Sequence, residues 1–393
     1  MDIFTKCYEF KEADEIKAAG YYFFFRELES AQDTEVVVGG RRLIMAGSNN
    51  YLGLTTHPKV KEAAIRAVEK YGSGCAGSRF LNGNLDIIEK FENKLADFFH
   101  KDAAVIFATG YQTNVGVISA IVGRNDEVFL DKYDHASIID GCRFSFGKPL
   151  KFRHNDVKDL DRLLSSTSGN GGKLIIVDGV FSMEGDITPL PDIIAAARKH
   201  GARIMVDDAH GIGVLGDGGR GTAEYFHAED EVDIIMGTYS KSLAAIGGFI
   251  ASSKEVVNYI RHFARSLMFS ASLAPALVAA ASAALDVIRD EPERREKLWH
   301  NTNRMLKGFR ELGFDTGTSS TPIIPVIIGD RYKTLQMCGL LQEYGIFVNP
   351  TISPAVPPGR ELLRTSYMAT HTDEQLDRIL DAFGRAGRQL GII

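Results

Sequence analysis

Between Ala103 and Ser252 the chain alternates short apolar runs with longer segments of helical period, and few folds accept that order. The runs AVIF, EVFL, KLIIVDGVF, RIMVDD, VDIIMGT and GFIAS carry too little polar character to leave one face in water, so each is expected to be a strand buried on both faces. Helical patterns begin between them near Tyr111, Ala136, Asp156 and Leu190. This alternation predicts an α/β fold, a mostly parallel sheet with helices on both sides.

Past Pro275 a long helix-favouring stretch, punctuated by DEPER, leads to three further short runs, TPIIPVIIG, GIFVNP and ELLRTSY. They predict a smaller C-terminal α+β domain. The expected organisation is an N-terminal segment over 1–60, a large domain over 61–290 and a small domain over 291–393. The N-terminal segment would pack on the small domain or on a partner chain. STSGNGG, Ser166 to Gly172, reads as a loop.

Charge excludes several classes of function. The 45 basic and 51 acidic residues give a net charge of −6, so no strong field gathers nucleic acid or an anionic membrane. Cys7, Cys75, Cys142 and Cys338 lie too far apart for a disulfide framework or a zinc site and suit a reducing cytoplasm. The first residues, MDIFTKCYEFKEADEIK, are too charged for a signal peptide. The best apolar run, Leu273 to Leu285, is interrupted by Pro275 and Ser282 and is shorter than the roughly 20 residues of a membrane-spanning helix. A cytoplasmic protein without a transmembrane segment is therefore expected.

In open α/β sheets, ligands bind at the carboxyl ends of the strands. IMVDDAHGIGVLG puts Asp207 at such an end, with His210 three residues on. Its Gly211, Gly213 and Gly216 match a dinucleotide fingerprint, but the following DGGRGTAE cannot open a helix at once, so that reading is set aside. FATGYQTNVG leads from a strand into a helix whose first N–H groups, at Gly110 and Tyr111, can face an anion. His135 stands at a helix start beside Asp134; ordinarily such a histidine is a cap, and it gains chemistry only if a planar cofactor lies against it. VDGVFSMEGD supplies Asp178 and Ser182, with Glu184 and Asp186 nearby, but no cluster at metal-ligand spacing, so no metal is expected.

GTYSKS places Lys241 just after a strand, between two serines, with Thr238 and Ser240 able to bind phosphate oxygens. Burial lowers a lysine's pKa, and a neutral amine attacks a carbonyl to form a Schiff base. A phosphate cup, an aspartate, a histidine and a lysine at several strand ends match what pyridoxal phosphate requires.

The ordered motifs SNNYLGLTTHPKV, GSRFLNGN, DHASIIDG, DGVFSMEGD, DDAHGIGVLG, GTYSKS and LLRTSYMATHT run nearly the length of the chain. With them the sequence resembles the α-oxoamine synthases, fold-type I pyridoxal-phosphate enzymes that condense an amino acid with an acyl-CoA and release carbon dioxide. The resemblance implies catalytic roles for Lys241, His135, Asp207 and His210. Lys241 would carry the cofactor and later move the substrate Cα proton, and Asp207 would pair with the pyridine nitrogen. His210 and Ser182 would bond the ring hydroxyl while His135 stacks on the ring. Gly110, Tyr111, Thr238 and Ser240 would hold the phosphate, joined by Ser270 from a second subunit of a homodimer. Arg364 would bind the amino acid carboxylate, and Asn50 and Ser78, the latter across the dimer, would line the substrate end.

Serine on both sides of the lysine is similar to the members that use L-serine and a long acyl-CoA; siblings acting on other amino acids more often read Gly-Lys-Ala. A non-catalytic subunit of the same fold is the alternative from another class, and Lys241 argues against it. The aromatic run Tyr21 to Glu29, YYFFFRELE, is expected in core or dimer packing, with guidance of an acyl chain as a second reading. The chain departs from the family at Ile88, where a histidine is common, which puts the packing of that helix in question.

Overall fold

A computed structural model describes residues 2–167 and 170–393. Residues 168 and 169, in the middle of the expected Ser166 to Gly172 loop, lie outside that description.

Two short helices, α1 (Thr5–Tyr8) and α2 (Glu12–Ala18), precede a hairpin of β1 (Glu35–Val38) and β2 (Arg41–Met45) and the helices α3 (Pro58–Tyr71) and α4 (Asp86–Phe98). The alternating region follows: β3 (Ala103–Phe107), α5 (Gly110–Ile121), β4 (Glu127–Asp131), α6 (Ala136–Phe144), β5 (Lys148–Phe152), α7 (Val157–Ser166), β6 (Lys173–Asp178), α8 (Leu190–His200), β7 (Arg203–Asp207), α9 (Thr222–Tyr225), β8 (Ile234–Thr238) and β9 (Gly248–Ser252). Helices α10 (Lys254–Phe263), α11 (Arg265–Met268), α12 (Pro275–Asp290) and α13 (Glu293–Leu312) lead to β10 (Ile323–Ile327), α14 (Arg331–Glu343), β11 (Ile346–Phe347), β12 (Asn349–Thr351), β13 (Leu362–Ser366) and α15 (Asp373–Gln389).

Strands β3 to β9 form one seven-stranded sheet in the order β3-β9-β8-β7-β6-β4-β5. Only β9 runs antiparallel to its neighbours, so the sheet is mostly parallel. Successive side chains leave for opposite faces: Phe129, Ile175, Val177, Ile204 and Val206 enter one core with α3, α4, α8 and α12, whereas Val128, Leu130, Ile176 and Met205 enter another with α5, α6 and α10. Each central strand is therefore apolar along its interior and polar only at its ends, which is why these runs lack a polar alternation. The strand over Lys148 to Phe152, KPLKF, escaped that pattern. It lies at the sheet edge, buries only Phe152 and tolerates Pro149, as an edge strand does.

The C-terminal part has its own core, in which Phe309, Ile324, Leu341, Leu363 and Phe383 pack together with Ile44 and Ala46 of the N-terminal segment. Backbone pairing explains the company: β11 adds to β2 in parallel, while β12 adds to β13. GIFVNP, expected as one strand, is thus divided between two sheets. His371 fastens the same junction, accepting from Met368 N and donating to Met45 O; burial holds its pKa down at about 4. The aromatic run packs here too, with Phe23 against this core and the Arg26 guanidinium 3.6 Å from the Phe347 ring centre, although Phe25 is 96% exposed. Ile88 is fully buried in α4 beside the large core, so that helix packs through it rather than despite it.

Candidate active site

The carboxyl ends of β3, β4, β6, β7 and β8 converge on a cavity of about 350 Å³ lined by Gly110, Tyr111, His135, Ser182, Asp207, His210, Thr238, Ser240 and Lys241, among others. Five chain segments that are remote in sequence meet there because a parallel sheet brings every carboxyl end to one edge.

Lys241 follows β8 in a tight loop. Tyr239 N and Thr238 Oγ1 both donate to the Gly247 carbonyl, and Ala244 N donates to the Lys241 carbonyl. The glycine pair behind the lysine is a steric requirement. Gly247 has φ of +143° and a Cβ there would strike the Tyr239 ring, while a Cβ on Gly248 would meet the Gly110 backbone and the Thr113 hydroxyl. Burial pulls the Lys241 pKa below the usual lysine range; Asp207 and Asp178 oppose this, and Arg364 adds to it.

Opposite the lysine loop, α5 starts at Gly110, capped by Thr109 Oγ1, which accepts from Gln112 N at 3.1 Å. The first N–H groups of a helix lack intrahelical acceptors and carry the positive end of its dipole. The Thr238 and Ser240 hydroxyls, 3.1 Å apart, close the other side of this anion cup. Gly110 cannot be larger, because a Cβ would come within 2.7 Å of Thr238 Oγ1.

Asp207 is buried, with Oδ1 accepting from Ala209 N at 3.1 Å and Oδ2 from Asn114 Nδ2 at 2.7 Å. Behind it, Asp178 lines the cavity; its Oδ1 is buried and has no partner among the described residues. Burial, then the neighbouring Asp207 and Asp134, raise the Asp178 pKa well above the carboxylate range. Burial and Asp131 do the same to Asp134. On the flank, His154 spans Asp131 at 2.9 Å and Asp186 at 3.1 Å; burial opposes its charge, but the two carboxylates outweigh it and push the pKa up to about 10.

His210 is held by Tyr51, whose hydroxyl lies 2.7 Å from Nδ1. Burial, followed by the charges of Lys241 and Arg364, drives the His210 pKa well down. Burial pushes the Tyr51 hydroxyl up to about 12. Arg364, buried on β13, donates from Nε to the Ser182 carbonyl at 2.7 Å and lies close enough to act on Lys241, His210 and Tyr51.

Four expected site residues stand outside the cavity lining: Arg364, which reaches the site only through the Ser182 carbonyl and its charge, and Asn50, Ser78 and Ser270. Asn50 spends its amide on a local turn, Nδ2 donating to Thr55 Oγ1 and Oδ1 accepting from Leu54 N. Ser78 lies in the loop between α3 and α4, its carbonyl accepting from Leu81 N and Gly83 N. Ser270 accepts from Gln112 Nε2 at 3.2 Å, in a segment tied to the Ser78 loop by Ser272 N donating to the Gly77 carbonyl. Conversely, Asn114, Ser137 and Tyr51 belong to the site and were not singled out from sequence. Asn114 lies one helical turn after Gly110, and Ser137 two residues after His135; those offsets are the only signals they give.

The residues fit pyridoxal phosphate. An anion cup, a buried aspartate, a lysine of lowered pKa and an unpartnered buried carboxylate oxygen surround a space of suitable size.

Comparison with known proteins agrees. A family model described as aminotransferase class I and II matches residues 42–383. The chain is 50% identical to a serine palmitoyltransferase of Sphingobacterium spiritivorum over 98% of this chain and 96% of that one. It is 44% identical to an 8-amino-7-oxononanoate synthase of Symbiobacterium thermophilum over 98% of each chain. A solved serine palmitoyltransferase from S. paucimobilis, with a bound PLP-myriocin aldimine, superposes with a TM-score of 0.97 at 37% identity, covering all of both chains.

Proposed function

The chain belongs to the aminotransferase class I and II family, and from that membership we propose that it is an acyltransferase condensing L-serine with palmitoyl-CoA to give 3-ketodihydrosphingosine, coenzyme A and carbon dioxide. The observation that carries the reaction class is Lys241, its pKa lowered, facing the same cavity as Asp207. The substrate pair rests on the 50% identity to a serine palmitoyltransferase.

Pyridoxal phosphate, when bound, supplies an electron sink for the carbanion left by loss of the substrate Cα proton. The chain's own residues do the rest. The first turn of α5, with Thr238 and Ser240, holds the phosphate. Asp207, whose oxygens accept from Asn114 and Ala209, would receive the pyridine N–H. His210 and Ser182 bind the ring hydroxyl. Lys241 would form the covalent link and, with the substrate amine in its place, would move the Cα proton, a task suited to an amine whose pKa burial lowers. Arg364 takes the serine carboxylate, its fork steadied by the Ser182 carbonyl.

The active unit in this reading is a homodimer in the cytoplasm. Ser78 and Ser270 lie in adjoining segments whose large apolar side chains Phe80, Leu81 and Phe269 are 56%, 80% and 74% exposed, as expected of a face covered by a second copy that offers these serines to the partner's site. Four free cysteines suit a reducing compartment, and among the described residues no helix is long and apolar enough to cross a membrane. The division at residues 60 and 290 belongs to the same proposal, supported by the separate cores of the two parts.

A panel of serine, glycine and alanine against short, dicarboxylic and C16 acyl-CoAs tests the substrate pair. Serine with palmitoyl-CoA should turn over fastest. The likeness to an 8-amino-7-oxononanoate synthase gives the competing outcome, alanine with a dicarboxylic acyl-CoA; its predominance would reverse the assignment.

A further inference from the structure

His135 is both a cavity residue and the N-cap of α6. We infer that it works as a neutral hydrogen-bond donor, its Nε2–H fixed toward the cavity by its duty as helix cap and by a chain of hydrogen bonds running back to Asp207.

The assignment of protons starts at the far end of the chain. Asp207 Oδ2 is an acceptor, so the Asn114 atom 2.7 Å from it must be the amide nitrogen; the reverse orientation would set an amide oxygen against a carboxylate. The same nitrogen donates its second hydrogen to Ser137 Oγ at 2.8 Å. With its oxygen accepting from Asn114, the Ser137 hydroxyl has its own hydrogen free for His135 Nδ1 at 2.7 Å. The Ser137 backbone N–H approaches the same nitrogen at 3.3 Å, the capping bond of α6. Two donors converge on Nδ1, so Nδ1 carries no proton. A neutral imidazole must then carry its hydrogen on Nε2, the nitrogen left for the cavity.

The surroundings also keep the ring neutral. Burial lowers its pKa, Asp207 raises it and Lys241 lowers it. The amino end of α6 opposes a positive charge on its cap. His210, the third charged-or-neutral group facing the ring, has its own pKa driven down. Asp178 and Asp134 both have raised pKa values, so neither supplies a full counter-charge. Asn114 and Ser137 are therefore positioning residues, and one chain of hydrogen bonds sets both the acceptor that would meet the cofactor nitrogen and the donor that His135 offers the cavity. A fixed N–H cannot act as a base; it can hold an anionic carboxylate or a developing oxyanion. That use rests on the reaction proposed above, whereas the tautomer does not.

The test is nitrogen NMR of the full chain labelled with ¹⁵N-histidine and loaded with pyridoxal phosphate, the His135 signal being identified by its loss in His135→Gln. A single neutral Nε2–H form from about pH 6 to about pH 9 is expected, against the ordinary midpoint of about 6.5. A proton on Nδ1, or titration near the ordinary midpoint, would overturn the inference. In Ser137→Ala the signal should become a mixture of tautomers or begin to titrate in that window, and Ser137→Thr should restore it. An unchanged Ser137→Ala signal would remove the hydrogen-bond chain as the cause. Failure of serine and palmitoyl-CoA to react in a protein with the expected tautomer would sink the proposed reaction and leave the tautomer standing.

Discussion

At the amino ends of the parallel strands a cleft of about 690 Å³ is lined by Lys101, Asp126, Lys173, Arg203 and Asp233, while the cavity around Lys241 at the carboxyl ends has about half that volume. The two ends differ less in size than in how their polar groups are satisfied. In the larger cleft Arg203 pairs with Asp233 at 2.7 Å, and the same carboxylate accepts from Ile204 N. Lys101 donates to the carbonyls of Glu229 and Val232, Lys173 to that of Leu164, and Asp126 accepts from Gly123 N and Gly172 N. These groups close strand starts and loops, which is structural work. At the other end Asp178 has an oxygen without a partner among the described residues, Lys241 is pulled below its usual pKa, and His154 is pushed above its own. Burial lowers the Lys101 pKa in the larger cleft as well, but that amine is spent on two carbonyls; among the described residues, a buried ionisable group left without a partner is what distinguishes the end around Lys241, and volume does not.

Removing the perturbed amine should have the largest effect. Lys241→Ala should lower turnover by at least roughly 10³-fold, since both the covalent link and the proton transfer go with it. It should also abolish the visible absorbance of a lysine-bound cofactor while the far-UV circular dichroism stays native. Retention of that absorbance would move the chemistry away from this end of the sheet.

A smaller and more selective effect is expected at Arg364. Loss of hydrogen bonds to a charged group costs about 1.5–3 kcal/mol, so Arg364→Ala should raise the KM for serine by roughly 10- to 100-fold and leave the KM for palmitoyl-CoA nearly unchanged. Steady-state kinetics with each substrate varied in turn distinguishes this from general damage. Equal rises in both values would deny Arg364 a place on the carboxylate.

His154 sharpens the comparison through pH. Its folded-state pKa, about 10, lies above the unfolded value, so the stability it contributes is fully present below about pH 6.5 and is lost as pH rises through 10. The urea midpoint of the native chain should exceed that of His154→Gln at neutral pH, and the two should converge above about pH 10. Parallel curves across that range would mean that the Asp131 and Asp186 contacts do not hold a charged imidazole.

Much of this arrangement was legible because each central strand is buried on both faces and therefore announces itself as an unbroken apolar run. The edge strand over Lys148 to Phe152 announces nothing, since only one of its side chains is buried. GIFVNP misled for another reason: Ile346 and Phe347 answer to β2, about 300 residues earlier, while Asn349 to Thr351 answer to β13, and no local pattern carries that information. Lys241, Asp207 and His210 were readable because polar residues directly after buried strands have few structural reasons to be there. Tyr51, Asn114 and Ser137 were not, because each acts by orienting another side chain, and sequence does not record which hydroxyl or amide meets which ring nitrogen. His135 shows that the two readings of one residue need not compete, since its role as a cap is what fixes its ring.

The smallest expected effect tests the comparison most directly, because it asks the larger opening to do nothing. Arg203 is 78% exposed in its side chain, and its pairing with Asp233 is of the surface kind that contributes at most about 1 kcal/mol. Arg203→Ala should therefore leave kcat and both KM values within about twofold and lower the urea midpoint only slightly, although the cleft it lines is twice the volume of the catalytic cavity. The same substitution type, arginine to alanine, is then compared at opposite ends of one sheet. Arg364 is buried against a carbonyl and close enough to Lys241 to lower its pKa, whereas Arg203 is exposed and already paired. If Arg203→Ala reduced turnover as Arg364→Ala does, the amino-end cleft would be coupled to the chemistry, and polar satisfaction would fail as the criterion that separates the two ends.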